Sequence, residues 1–148
     1  GNLFLQKGES KMNDEFSKEE IVELILNFCW EPTGYFKKEE NEPEFKKFKD
    51  KGFCDYCEEK EKYLINNEGQ KYLYPYVYDA AEKFANVVKE HERYMEKDAI
   101  NWFKNYFELK DIEQAKDILE YIFKKELKIR YKISICYVRG GKGYIVTD

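Results

Sequence analysis

The sequence has no apolar run approaching the roughly 18 residues that a membrane-spanning helix needs. Its N-terminus also lacks the order of charged, apolar and small residues that marks a secretory signal. We therefore expect no membrane segment. The four cysteines, in a chain rich in Lys and Glu, predict free thiols and a cytoplasmic location rather than a disulfide framework. Residues 1–16 are expected to form an N-terminal tail.

Histidine is nearly absent, and this weakens the case for catalysis. The only histidine, His91, falls on the apolar stripe of a predicted helix, where a hydrogen-bonded core or interface role is the common one. No second histidine is present to form a nucleophile pair, and no nucleophile motif has a strand-turn-helix context. A site built only from carboxylates stays open, because 30 acidic residues would hide one. The sequence favours a binding protein over an enzyme and predicts no cofactor.

Charge is distributed unevenly along the chain, although its net value is only −4. Residues 123–148 contain seven basic side chains and only two acidic ones, so the excess of acid lies in the rest of the chain. Such a split indicates that the C-terminal segment faces an acidic surface, of a partner or of the chain itself. The basic residues are Lys124, Lys125, Lys128, Arg130, Lys132, Arg139 and Lys142.

The first helix has a clear start signal. Ser17 and Glu20 have the spacing of a capping box, and an apolar stripe follows, which predicts a helix over Lys18–Trp30. A short helical turn is expected around Tyr35–Glu40, and a second helix over Pro43–Lys51, with Gly52 just past its end.

A hairpin is predicted next. Aromatic and β-branched runs at 53–57 and 63–65 flank the charged segment EEKEK, and Asn66 then caps a new helix. Two stretches carry a family resemblance: Lys51-Gly52-Phe53, and Tyr63-Leu64-Ile65-Asn66-Asn67-Glu68-Gly69. Over about residues 17–73 this order resembles the winged helix-turn-helix superfamily, whose members often end a recognition helix with Lys-Gly-apolar, run two strands around a wing and enter another helix.

The resemblance implies that the Pro43–Lys51 helix is a recognition helix and that its lysines contact phosphates. No Arg, Gln or Asn stands among them to read a base edge, and the wing, Glu58–Lys62, is mainly acidic. The predicted partner is therefore either nucleic acid or an acidic protein surface. The contact residues predicted for it are Lys46, Lys47, Lys49, Lys51, Lys128, Arg130, Lys132, Arg139 and Lys142.

The second half begins with apolar residues at helical spacing over Asp79–Glu96, which predicts a long amphipathic helix. By analogy with winged-helix regulators, this helix is expected to form a homodimer interface. Helices are also predicted over Asp98–Phe107 and Asp111–Leu127. The interface residues are Phe84, Val87, Val88, His91, Tyr94 and Met95.

The chain ends in a predicted basic hairpin. Apolar residues from Ile129 to Tyr137 alternate with a second set that starts Lys128, Arg130, Lys132, and the segment RGGKG makes the turn. The expected fold is α+β, with a tail over 1–16, a winged-helix-like unit over 17–78 and a helical region over 79–148 that ends in this hairpin, the two regions packing as one body.

Cys54 and Cys57 form a CxxC pair, which can hold zinc when two further ligands are near. Two cysteines three positions apart on a strand point to opposite faces, which opposes chelation. We therefore expect half-buried thiols and no metal, with a small zinc-binding protein as a third functional alternative.

Overall fold

The computed structural model of the chain describes residues 16–31 and 33–147, so that the tail predicted over residues 1–16 lies outside the described residues except for Phe16. The expected α+β class is confirmed, because helices are combined with two three-stranded antiparallel sheets. The chain divides into two compact units, the first ending at Tyr76 and the second beginning at Val77. The division falls inside a helix, two residues before the predicted boundary at residue 78.

The first unit starts with the predicted cap. The backbone N–H of Glu20 donates to the Ser17 hydroxyl at 3.1 Å, and the N–H of Ser17 donates to the Glu20 carboxylate at 2.9 Å. This reciprocal pair satisfies two of the N–H groups that a helix start leaves open. The elements of this unit are α1 (Lys18–Phe28), β1 (Tyr35–Phe36), a 3₁₀ turn (Lys37–Glu39), α2 (Pro43–Asp50), β2 (Cys54–Cys57), β3 (Lys62–Ile65) and the start of α3 (Asn67–Lys89).

The first sheet has the order β1-β3-β2, with the second strand of the hairpin in the centre. The helical turn predicted around Tyr35–Glu40 is present as the 3₁₀ turn Lys37–Glu39, but the first two residues of that range form strand β1. Tyr35 pairs with Tyr63 of β3, and its ring stacks on Phe45 of α2 with centroids 4.6 Å apart. Because Tyr35 is buried in this contact, the extended backbone that places it there is preferred over a full helical turn.

Helix α3 joins the helix predicted after Asn66 and the one predicted over Asp79–Glu96 into a single helix. The helix runs without interruption through Pro75 and ends at Lys89, not at Glu96. A proline inside a helix costs about 3 kcal/mol, but buried apolar side chains continue on both sides of it, from Leu73 to Tyr76 and on to Ala80. Their burial offsets that cost. The side chain of Asn66 accepts from the Gly69 N–H at 3.0 Å, which confirms its capping role.

The second unit confirms two predicted helices and shifts the start of the hairpin. Residues 128–130, predicted to be strand, continue the preceding helix, and Lys132 with φ of 55° then ends the helical path. Ile129 was assigned to the apolar face of a strand, yet it is 70% exposed. After α3 the elements are β4 (Tyr94–Met95), α4 (Glu96–Tyr106), α5 (Ile112–Ile122), a π-helical turn (Phe123–Leu127), a last helical turn (Lys128–Arg130), β5 (Ile133–Val138) and β6 (Gly141–Val146).

The second sheet has the order β4-β6-β5, again with the second strand of its hairpin in the centre. Its inner face packs on a fully buried ring, Phe84 of α3. The Phe84 centroid lies 4.9 Å from that of Phe103 and 6.1 Å from that of Tyr144 on β6. Aromatic contacts of this kind combine with buried aliphatic side chains in the core of each unit.

Candidate functional site

The four lysines predicted on the recognition helix are not equivalent. Lys47 forms a two-oxygen contact with Glu20, at 2.9 and 3.0 Å. Lys49 lies 3.3 Å from the Glu40 carboxylate and 4.9 Å from the centroid of the Tyr63 ring. A hydrogen bond with Tyr63, together with Glu40, raises the pKa of Lys49. These two cations are therefore engaged by carboxylates of their own chain.

Lys46 and Lys51, the other two lysines, are exposed. Neither of them forms an ion pair with another residue within 16–31 and 33–147. Of the positive charge predicted on this helix, only these two side chains point into solvent without a carboxylate beside them.

The basic residues of the second unit also divide into cations that are paired with carboxylates and cations that are exposed. The guanidinium of Arg130 lies 3.1 Å from Glu126 and 5.5 Å from the Tyr78 ring, and Lys142 lies 3.2 Å from Glu96. Lys128 is exposed on the last helical turn and not on a strand, which corrects the predicted basic face of the hairpin for Lys128 and Arg130. Two exposed cations remain at the ends of β5: Lys132 before it and Arg139 after it.

The six residues predicted to form an oligomer interface do not share one exposed face. Phe84 and Val88 are fully buried within their own unit, so these two side chains are not available to a second copy. The prediction is wrong for them, because the stripe on α3 faces the core of the unit. Val87 is half-buried on the same helix.

The other three interface residues lie beyond the end of α3. His91 is exposed, and its Nδ1 lies 2.8 Å from the Val87 carbonyl oxygen, which accepts the ring N–H. Tyr94 and Met95 form β4 and pair with Tyr144 and Gly143 of β6. The helical periodicity that suggested an interface therefore ends at a strand.

The CxxC pair lies on strand β2, with Cys54 buried and Cys57 half-buried. Burial raises the pKa of the Cys54 thiol to about 12, which opposes the thiolate form that a metal needs. Across the described parts of the chain, no group of three or more His, Cys, Asp or Glu side chains is arranged to hold a metal ion.

A half-exposed apolar surface lies on the outer face of the second sheet. Met95, Gly143 and Cys136 are direct neighbours across its three strands, so they share one face. Val138 and Ile145 lie on the same face and are half-exposed, as are Met95 and Cys136, whereas Gly143 is buried. The sequence predicted a basic face here. Lys128 and Arg130 belong to the helix instead, and the structure places mainly uncharged side chains on this face, with the Arg93 side chain beside Gly143.

Strand β5 forms an open edge of this sheet, since β6 is its only neighbour among the described strands. Its six residues, Ile133–Val138, include no charged residue and no proline. The Tyr137 side chain at the end of the strand is 80% exposed. An uncharged edge strand is a template for pairing with another chain. Alternation of apolar residues predicted the strand, but not that it would be an edge.

The first unit contains a surface groove of about 800 Å³ between the end of α1, strand β3 and the start of α3. Phe28, Leu64 and Tyr74 contribute apolar surface to it, while Glu31 and Lys60 are among its charged lining residues. The groove mixes both signs of charge and does not define one ligand chemistry.

No described helix is long and apolar enough to cross a membrane. Comparison of the chain with protein-family models, with curated proteins and with solved structures gives no match.

Proposed function

We propose that this chain is a non-catalytic binding protein on a winged-helix-like scaffold, and that its partner is another protein. The binding surface is the second sheet: its outer face around Cys136 and its open edge on β5. The free state of all four thiols fits a reducing, cytoplasmic setting.

The single observation that carries this proposal is the uncharged edge strand. Natural proteins usually guard a sheet edge with charges, proline, bulges or a covering element. Strand β5 contains no charged residue and no proline within Ile133–Val138, and half-exposed apolar side chains lie on the face beside it. Such an edge and face together favour a protein partner.

Capture experiments with matched variants test this function. Partners from an extract of the native cells are quantified for the wild type, for a face variant with Cys136→Glu and Ile145→Glu, and for a helix variant with Lys46→Glu and Lys51→Glu. We expect the face variant to lose its protein partners and the helix variant to retain them. Partners lost only in the helix variant, or released by nuclease, would contradict the proposal.

A second candidate function is sequence-indifferent binding of nucleic acid. The exposure of Lys46, Lys51 and Lys128, without ion pairs in the described parts of the chain, favours it. Phosphate contacts make such binding fall steeply with salt. Fluorescence anisotropy with duplex DNA over a salt series measures this directly, and absence of binding at low salt removes this candidate.

A further inference from the structure

The hydrogen-bonding direction along β5 can be read from its register with β6. Thr147 donates its N–H to the Lys132 carbonyl at 2.8 Å, just beyond the paired residues Ile133 and Val146. In an antiparallel pair, the residues that bond to the neighbour alternate along the strand. The even-numbered residues Ser134 and Cys136 therefore bond inward to β6, and the odd-numbered residues present their N–H and C=O groups to the free edge.

The accessible part of this edge is short and well defined. Ile133 is fully buried, Ile135 is half-buried and Tyr137 is exposed, so the outward-facing part of the edge outside the core consists of Ile135 and Tyr137. No backbone hydrogen bond joins these two residues to any other described segment. Together they present two N–H donors and two carbonyl acceptors along one line, which is the arrangement that an added strand completes.

The charge at the ends of the strand selects the partner. Lys132 and Arg139 flank β5 and are both exposed, whereas nearby Arg130 and Lys142 are already paired with carboxylates. A second copy pairing through its own β5 would bring two more cations to the same edge, and like charges across a sheet are destabilising. Acidic residues at the ends of an incoming strand would instead meet a cation on each side.

We propose that the free edge of β5 accepts, as a fourth strand of the second sheet, an extended acidic segment of a partner protein. This inference rests on the proposed function and specifies its partner: a chain with alternating β-forming residues, carboxylates at both ends of the paired stretch, and backbone hydrogen bonds to Ile135 and Tyr137.

The inference is tested with a labelled peptide of about nine residues, which has a pair of Glu at each end and alternating Thr and Val between them. Fluorescence anisotropy compares it with a peptide that carries Lys in place of Glu, and with one whose edge-facing amides are N-methylated. We expect the acidic peptide to bind at least about tenfold more tightly than either control, because each control loses an attraction or a set of hydrogen bonds. Equal binding of all three would overturn the inference.

Two substitutions at one exposed position separate backbone pairing from side-chain contact. Tyr137→Pro removes an outward N–H and leaves the inward bonds of Cys136 in place, whereas Tyr137→Ala keeps that N–H. We expect about a tenfold loss of acidic-peptide affinity for Tyr137→Pro and less than about twofold for Tyr137→Ala. Amide NMR spectra establish that both variants fold. Should the proline variant fail to fold, the N-methylated peptide decides the question on the wild type.

The outcomes distinguish this inference from the function on which it rests. If protein partners are lost from the Cys136→Glu, Ile145→Glu variant but Tyr137→Pro changes neither capture nor peptide affinity, the sheet binds protein by its face and strand addition is wrong. If light scattering shows a dimer of the wild type that Tyr137→Pro dissociates, the occupant of the edge is a second copy and the acidic partner is wrong.

Discussion

The two sheets of this chain share a strand order but differ at their edges. Each consists of a two-residue strand and a hairpin whose second strand is central. In the first unit one α-helix, α2, lies between the short strand and the hairpin, whereas in the second unit α4 and α5 lie between them. In the first sheet, the edge strand β2 contains Asp55, which accepts from Asn66 at 3.1 Å, and the charged turn 58–61 follows it. In the second sheet, the edge strand β5 is longer and contains no charge.

This difference indicates that the two units are used differently. A charged residue in an edge strand discourages pairing with other chains, whereas an uncharged edge permits it. Both units combine paired and exposed cations, so the contrast lies in the edge strands themselves. The same strand order therefore has a charged edge strand in one unit and an uncharged edge strand in the other.

The largest effect is expected where the units are alike, in their cores. Phe45 in the first unit and Phe84 in the second are both fully buried among aromatic rings. Truncation of either to Ala should lower the free energy of unfolding by about 3–5 kcal/mol, since a large cavity is left. Urea denaturation measures this. Val87→Ala is the control, because Val87 is only half-buried and should cost clearly less. Equal costs for Phe84 and Val87 would mean that the α3 stripe does not face the core.

A smaller effect should separate two glycines, one in each unit. A Cβ on Gly69 would overlap the Phe53 carbonyl oxygen and lie 2.7 Å from Ile65 Cγ1, while one on Gly140 meets nothing nearer than Met95 Cε at 3.9 Å. Gly69→Ala should therefore cost about 1–3 kcal/mol, although Ala is the better helix former. Gly140→Ala should stay within about 0.5 kcal/mol of the wild type. Thermal or urea unfolding compares the pair, and a stable Gly69→Ala would refute the close packing of α3 on the first hairpin.

The smallest effect concerns two carboxylates with opposite pKa shifts. A hydrogen bond from Tyr63, with help from Lys49, lowers the pKa of Glu40, whereas burial raises the pKa of Glu126 despite Arg130. The contribution of ionised Glu40 to the free energy of unfolding is then fully present above its unfolded pKa of about 4.5. It is lost as pH falls through the lower pKa of the folded state. The contribution of protonated Glu126 to the free energy of unfolding is present below its unfolded pKa of about 4.5. It is lost as pH rises through the higher pKa of the folded state.

Unfolding free energies of Glu40→Gln and Glu126→Gln, followed from pH 3 to 7 as a rough range, test these signs. Each variant should remove one part of the pH dependence of the wild-type unfolding free energy. Glu40→Gln should remove a loss of stability at acid pH, and Glu126→Gln a loss of stability toward neutral pH. The same change of slope in both variants would contradict the opposite environments of the two carboxyls.

Local signals in the sequence were sufficient for much of the fold. The Ser17–Glu20 capping box, the Asn66 cap and the alternation around Phe53–Ile65 act through neighbouring residues, and the structure confirms each of them. The predictions failed where tertiary packing decides. Separate helices were predicted after Asn66 and over Asp79–Glu96, but they form the single helix α3, because burial of apolar side chains continues past Pro75.

The candidate surface was harder to predict for a related reason. Alternating residues at 128–137 correctly indicated a strand, but its first three residues extend the preceding helix and remove two cations from the sheet face. Whether a strand is an edge depends on which strands pair, and β4 is too short to give a periodic signal. Ion pairing of Lys47 with Glu20, 27 positions away in the chain, is likewise invisible in local spacing.

Amide hydrogen exchange along β5, measured residue by residue by NMR, tests the open edge most directly. We predict fast exchange for the amides of Ile135 and Tyr137, which point to the free edge, and slow exchange for those of Ser134 and Cys136, which bond to β6. Exchange at Tyr137 as slow as at Cys136 in the free protein would show that the edge is already covered, and would contradict the account.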